Sequence, residues 1–172
     1  DGVGPVTYSL DVSSEPNSGV IDTATGNPVF LFLENGAVVG REGADAVDAQ
    51  SGEVVFSVTV NNGQVTLDQQ RAVLHNDPSD PDEAASPVTL GADDLITLTA
   101  TIADGDGDSS SATINLGGTL AFRDDGPTAY ADSNTVAEGG VVTGNVLTDG
   151  TADEFRADGP TAMDAGVIGV AP

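Results

Sequence analysis

Apolar and polar residues alternate along most of this chain with a period of two. Val6, Tyr8, Leu10 and Val12 fall on one face of a short run, with Thr7, Ser9 and Asp11 on the other. Val54, Phe56, Val58 and Val60 repeat the pattern around Ser57 and Thr59, and Ile96, Leu98, Ala100 and Ile102 repeat it around Thr97, Thr99 and Thr101. A run of this kind buries one face and wets the other, as strands of an antiparallel sheet do. No stretch has the period of an amphipathic helix. Asn35-Gly36 separates Val29–Leu33 from Ala37–Arg41, and Asn62-Gly63 separates the 54–60 run from Val65-Thr66-Leu67. Asn-Gly tolerates the positive φ angles of tight hairpin turns, so both steps predict hairpins. Ser111–Leu116 and Thr119–Phe122 follow as further short strands, parted by Gly117-Gly118. Many short strands divided by turn signals predict an all-β, immunoglobulin-like antiparallel β-sandwich.

Two segments depart from the pattern. His75-Asn76-Asp77-Pro78-Ser79-Asp80-Pro81-Asp82-Glu83 holds two prolines, which bars it from a central strand. It reads as an exposed loop, with Asp77, Asp80 and Asp82 as possible ligands of a weak cation. At Arg123-Asp124-Asp125-Gly126-Pro127 the composition shifts toward a linker, and Asp-Gly-Pro-Thr-Ala recurs at Asp158–Ala162. The expected division is a sandwich unit over residues 1–127. Residues 128–172 are then a linker with the opening strands of a next unit, or strands that complete the same sandwich. The chain itself reads as a segment of something longer.

Composition narrows the chemistry. The 172 residues carry 28 acids against four basic residues, all arginine, for a formal charge of −24. Binding to nucleic acid through phosphates, or to an anionic membrane, is excluded on charge. No apolar run is long enough to span a bilayer. Cysteine is absent, so rigidity cannot come from disulfides. Aromatic residues are only 4 %, which predicts a thin aliphatic core. A single histidine, His75, and the lack of a Gly-x-Ser-x-Gly elbow leave little for nucleophilic catalysis, and carboxylate-pair glycosidases usually add aromatic platforms for sugar. The chain is therefore read as a non-enzyme.

Ala103-Asp104-Gly105-Asp106-Gly107-Asp108 is the sharpest chemical signal. It sets three carboxylates at alternate positions, parted only by glycine. Such a stretch is either a solvated polar turn or a loop for a hard divalent cation, since Ca2+ takes about 6–8 oxygen ligands from short flexible segments. Its place directly after a patterned strand in so acidic a chain favours calcium. The strong acidity also fits adaptation to salty surroundings, in which ionic strength alone relieves the repulsion. EF-hand spacing fails: counting from Asp104, the sixth residue is Ser109 and the twelfth Asn115.

Taken together, Val65–His75, Asp77-Pro78, Leu98–Asp108 and Phe122–Pro127 resemble the long repeat of giant type I-secreted RTX adhesins. Asp132–Leu147 is similar to the start of VCBS and cadherin-like bacterial adhesin modules. The Gly-Gly-x-Gly-x-Asp nonapeptides of the RTX calcium roll are absent. The resemblance implies a secreted module at the bacterial cell surface, supporting adhesion and biofilm formation, rigidified by Ca2+ and flanked by neighbouring repeats of the same chain. It implies Asp104, Asp106 and Asp108 as loop ligands, Asp124 and Asp125 at a junction, and Asp132, with Glu138 as a weaker ligand, from the following strands. Two non-enzymatic roles follow: a monomeric spacer, or a module gripping peptide or glycan through the loop near 75–88. The scarcity of aromatics favours the spacer.

Overall fold

The computed structural model describes residues 4, 6–75, 86–123 and 127–155. Eight strands lie in two antiparallel sheets that face each other: β1 (Thr7–Val12), β2 (Asn17–Ile21), β3 (Pro28–Glu34), β4 (Ala37–Glu42), β5 (Val54–Asn61), β6 (Gln64–Gln69), β7 (Ile96–Ala103) and β8 (Ser109–Asn115). The larger sheet is a five-stranded meander in the order β2-β3-β4-β5-β6, and the smaller has the order β1-β7-β8. The chain starts in the small sheet, winds through the large one, and returns as the β7–β8 hairpin beside β1. Helical geometry among the described residues is limited to two 3-10 turns, Asp48–Gln50 and Asp93–Leu95. The expected all-β sandwich is what forms.

Both Asn-Gly steps build hairpins. Asn35 and Gly36 have φ of 52° and 85°, and Asn62 and Gly63 have 49° and 81°. Positive φ at both central residues is the turn whose twist matches the flanking strands. Glu34 accordingly pairs with Ala37, and Asn61 with Gln64.

The core is aliphatic except at its centre. Leu10, Val20, Val29, Leu31, Val38, Val58, Ile96 and Leu98 are buried between the sheets. Phe56 and Phe122 meet there edge to face, with ring centroids 4.7 Å apart and planes at 62°. Phe122 lies beyond the last strand. It reaches the core because Val88 and Phe122 form a backbone bridge that folds the segment after β8 back over the sandwich. The expected strand at 119–122 is therefore a single bridge, and Leu116 and Leu120 seal the same end.

Alternation fails as a guide in three places. Gly40 pairs with Phe56 and Arg41 with Val54, which leaves Val55 as a bulge in β5, so Val55 and Phe56 are both fully buried although adjacent. A bulge changes the side-chain period locally. On β1 and β7 the inward face is covered only in part: Leu10 and Ile96 are buried, while Val6 and Ile102, toward the opposite end, are 43 % and 46 % exposed. All seven residues of β8 are exposed.

One buried ion pair ties the large sheet to the segment after β6. The Asp22 side chain is wholly buried, and Arg71 donates to it from Nε at 2.8 Å and from a terminal nitrogen at 2.9 Å. Thr25 adds its backbone N–H at 2.9 Å and its hydroxyl at 2.7 Å. Burial pushes the Asp22 carboxyl up, but Arg71 and Thr25 together outweigh it and hold its pKa below the ordinary carboxylate value. The two residues are 49 positions apart.

Candidate metal centre

The loop Asp104–Asp108 joins β7 to β8 and is held from within. Its ends close through the Asp104 backbone N–H, which donates to the Asp108 carbonyl at 2.9 Å, one step beyond the last strand pair, Ala103 with Ser109. The Asp104 carboxylate then turns inward. Its Oδ1 accepts the backbone N–H of Gly107 at 3.1 Å and of Asp108 at 2.9 Å. A short acidic side chain capping its own turn in this way is a common use of Asp in loops. Gly107 has φ of 103°, a conformation that disfavours any side chain, so the glycine is required by the turn.

This folding brings three carboxylates together. One oxygen from each of Asp104, Asp106 and Asp108 lies within 4.8 Å of the others, and all three residues are exposed. Calcium–oxygen distances of about 2.3–2.6 Å place opposite ligands about 4.6–5.2 Å apart, so one ion can touch all three. The donor set, hard and anionic with solvent on the open side, fits calcium better than a transition metal. The Asp104 pKa lies below the ordinary value, first through a hydrogen bond shared with the Asp106 side chain and then through the backbone N–H groups of Asp108, Asp106 and Gly107.

The arginines do not neutralise this loop through any ion pair found among the described residues. Arg71 is committed to Asp22, and Arg41 donates to Glu34 at 2.8 Å across the β3–β4 hairpin.

Other anticipated ligands are placed differently. Asp124, Asp125, Asp77, Asp80 and Asp82 lie outside the described residues. Glu138 is exposed on a turn. Asp132 is half-buried beside a hollow of about 290 Å³ whose lining includes Asn134, Asn145 and Asp149. Its Oδ1 is buried and takes no hydrogen bond, whereas Asp149 accepts the Asn145 backbone N–H at 2.8 Å. Among the described residues, Asp104, Asp106 and Asp108 are the one group of three acids close enough to share an ion, and neither Asp132 nor Glu138 joins it. His75 is half-buried, with Nε2 3.3 Å from the Phe122 carbonyl oxygen, at the bridge that closes the core.

Nothing in the alternation of apolar and polar residues marks the buried Asp22–Arg71 pair. The only local signal is the turn from Asp22 to Gly26, where Gly26 donates its N–H to the Asp22 carbonyl at 2.9 Å.

An antiparallel β-sandwich carrying an acidic hairpin loop at one end defines a β-sandwich module with a candidate cation site. Residues 1–117 match the family described as a domain of unknown function, DUF5801, and the chain belongs to that family. No curated protein and no solved structure matches the chain. The family match stops at the end of the β7–β8 hairpin, five residues before Phe122 completes the core. From Pro127 to Phe155 the described chain contributes turns and one isolated bridge, Thr128 with Glu154, and no strand of either sheet. No helix among the described residues is long and apolar enough to cross a membrane.

Proposed function

We propose that this chain is a calcium-rigidified structural module of a large secreted bacterial surface adhesin, holding a distal binding domain away from the cell. The observation that supports it most is the convergence of Asp104, Asp106 and Asp108 at the end of a hairpin, in a chain of formal charge −24. Without a cation the three carboxylates repel, and the β7–β8 hairpin frays from its tip. Ca2+ binds the folded loop and not the unfolded chain, so it stabilises the sandwich by mass action. Asp132, with a buried oxygen that lacks a donor, is a second place where a cation relieves an unmet charge. A low-calcium cell interior keeps such a chain loose for export, and external calcium folds and stiffens it. The resemblance to secreted adhesin repeats supplies the setting, and the loop supplies the mechanism.

Thermal melts in chelator, in calcium, and in sodium chloride of matched ionic strength test the reading. A hundredfold excess of calcium over Kd raises Tm by about 10 °C for a domain of this size. Asp106→Ala lowers that gain. An equal rise in both salts would leave the carboxylates as a salt-screened surface and end the calcium reading.

A further inference from the structure

The two Asn-Gly turns each set an asparagine amide beside the backbone nitrogen of a glycine. Asn35, Gly36, Asn62 and Gly63 are all exposed, and among the described residues the N–H groups of Gly36 and Gly63 donate no hydrogen bond. Both tips stand at the same end of the large sheet, since β4 pairs with β5 through Val38 and Val58. They therefore share the same solvent and the same acidic surroundings.

Their packing differs. A Cβ built at Gly36 meets nothing within 4 Å. At Gly63 it would lie 2.9 Å from Cζ and Oη of Tyr8 and 3.1 Å from Cε1, so the tip of the Tyr8 ring rests on this turn. Tyr8 comes from β1, on the same face as buried Leu10, and reaches across the sandwich to the β5–β6 hairpin. The Glu34–Arg41 ion pair holds a side chain beside the first tip but lays nothing over it.

We infer that Asn35 is a site of spontaneous deamidation, and that the Tyr8 ring protects Asn62 from the same reaction. The Gly36 backbone nitrogen, giving its proton to hydroxide, attacks Asn35 Cγ. The N–Cγ bond forms, the Cγ–Nδ2 bond breaks, and the amide nitrogen takes a proton from water and leaves as ammonia. Water then adds to either carbonyl of the succinimide ring and opens it to Asp or to isoaspartate, with no oxidation or reduction. Glycine suits the step because no side chain crowds its nitrogen. Ring closure takes the asparagine out of the turn, where φ is 52° at Asn35 and 49° at Asn62, so the rate follows how readily each tip opens. The first tip opens against its own turn alone. The second must also break its contact with Tyr8. Either product makes the chain one charge more negative than −24. Isoaspartate also adds a backbone atom to a two-residue turn, which then no longer holds Glu34 opposite Ala37. The reaction marks age at the β3–β4 hairpin and depends on no cation or partner.

Peptide mass spectrometry of the full chain, aged in chelator at mildly alkaline pH, tests it. Cleavage after Arg41 and Arg71 puts the two sites on separate peptides. Asn35 should convert about tenfold faster than Asn62, a difference of about 1.4 kcal/mol in barrier. Tyr8→Ala should speed Asn62 by a similar factor and leave Asn35 unchanged, whereas Tyr8→Phe keeps the ring and should change neither. In concentrated urea the two sites of the parent should react alike. Circular dichroism shows which variants are folded, and if Tyr8→Ala is not, the parent's ratio in buffer and in urea still decides. A ratio under about threefold in the folded parent overturns the inference. So does a ratio that persists in urea, which would place the difference in the flanking residues. A folded Tyr8→Ala in which Asn62 stays slow, or a folded Tyr8→Phe in which it speeds up, overturns it as well.

Discussion

Replacing Arg71 with methionine keeps most of its aliphatic stem and removes the guanidinium from Asp22. Asp22 then loses two of its four hydrogen bonds and keeps the two from Thr25. Breaking one side of a buried ion pair costs about 3–5 kcal/mol, because the remaining charge is stranded. The Asp22 side chain has no exposed surface, but that of Arg71 is 27 % exposed, so water enters where the guanidinium leaves. The expected loss is therefore about 2–3 kcal/mol, a fall of about 1–2 M in the urea midpoint with the slope unchanged. The dependence on pH separates this mechanism from simple loss of packing. In the parent the Asp22 pKa lies below its ordinary 3.8. The contribution of that group is complete above the ordinary value and is lost as pH falls through the lowered one. In Arg71→Met burial dominates and the pKa rises, so the penalty is present above the raised pKa and relieved as pH falls below it. The gap between the two proteins should be widest at neutral pH and should shrink toward pH 4 and below. Urea titrations followed by far-ultraviolet circular dichroism, in chelator throughout, measure it. A gap that stays constant with pH, or one under about 0.5 kcal/mol at neutral pH, refutes the argument.

Two other outcomes are expected. A Cβ at Gly40 would clash with one edge of the Phe56 ring, so Gly40→Ala should lose about 1–3 kcal/mol in the same titration, and an unchanged midpoint would show that the ring yields freely. A chain ended after Gly117, where the family match stops, lacks Leu120 and Phe122; compared with one ended after Arg123 it should lose at least the roughly 3–5 kcal/mol of a deleted core phenylalanine, and equal melting would place those residues outside the cooperative core.

The β-sandwich and its hairpins were legible from the chain alone because they rest on local physics. Period-two alternation specifies a strand with one wet face, and Asn35-Gly36 and Asn62-Gly63 supply the positive φ that a two-residue hairpin demands. The acidic loop was legible for the same reason, since three carboxylates within five residues and two glycines stay near each other in any compact turn. Tertiary structure decided what depends on residues far apart. It paired Asp22 with Arg71 across 49 positions and brought Phe122 against Phe56. It buried both Val55 and Phe56 through a bulge that alternation cannot show. It also left β8 bare, although Ala112 and Ile114 alternate with polar residues as buried strands do. A pattern says which face of a strand is apolar. Only the arrangement of the other sheet says how much of that face is covered, and only strand order says which edges stay open.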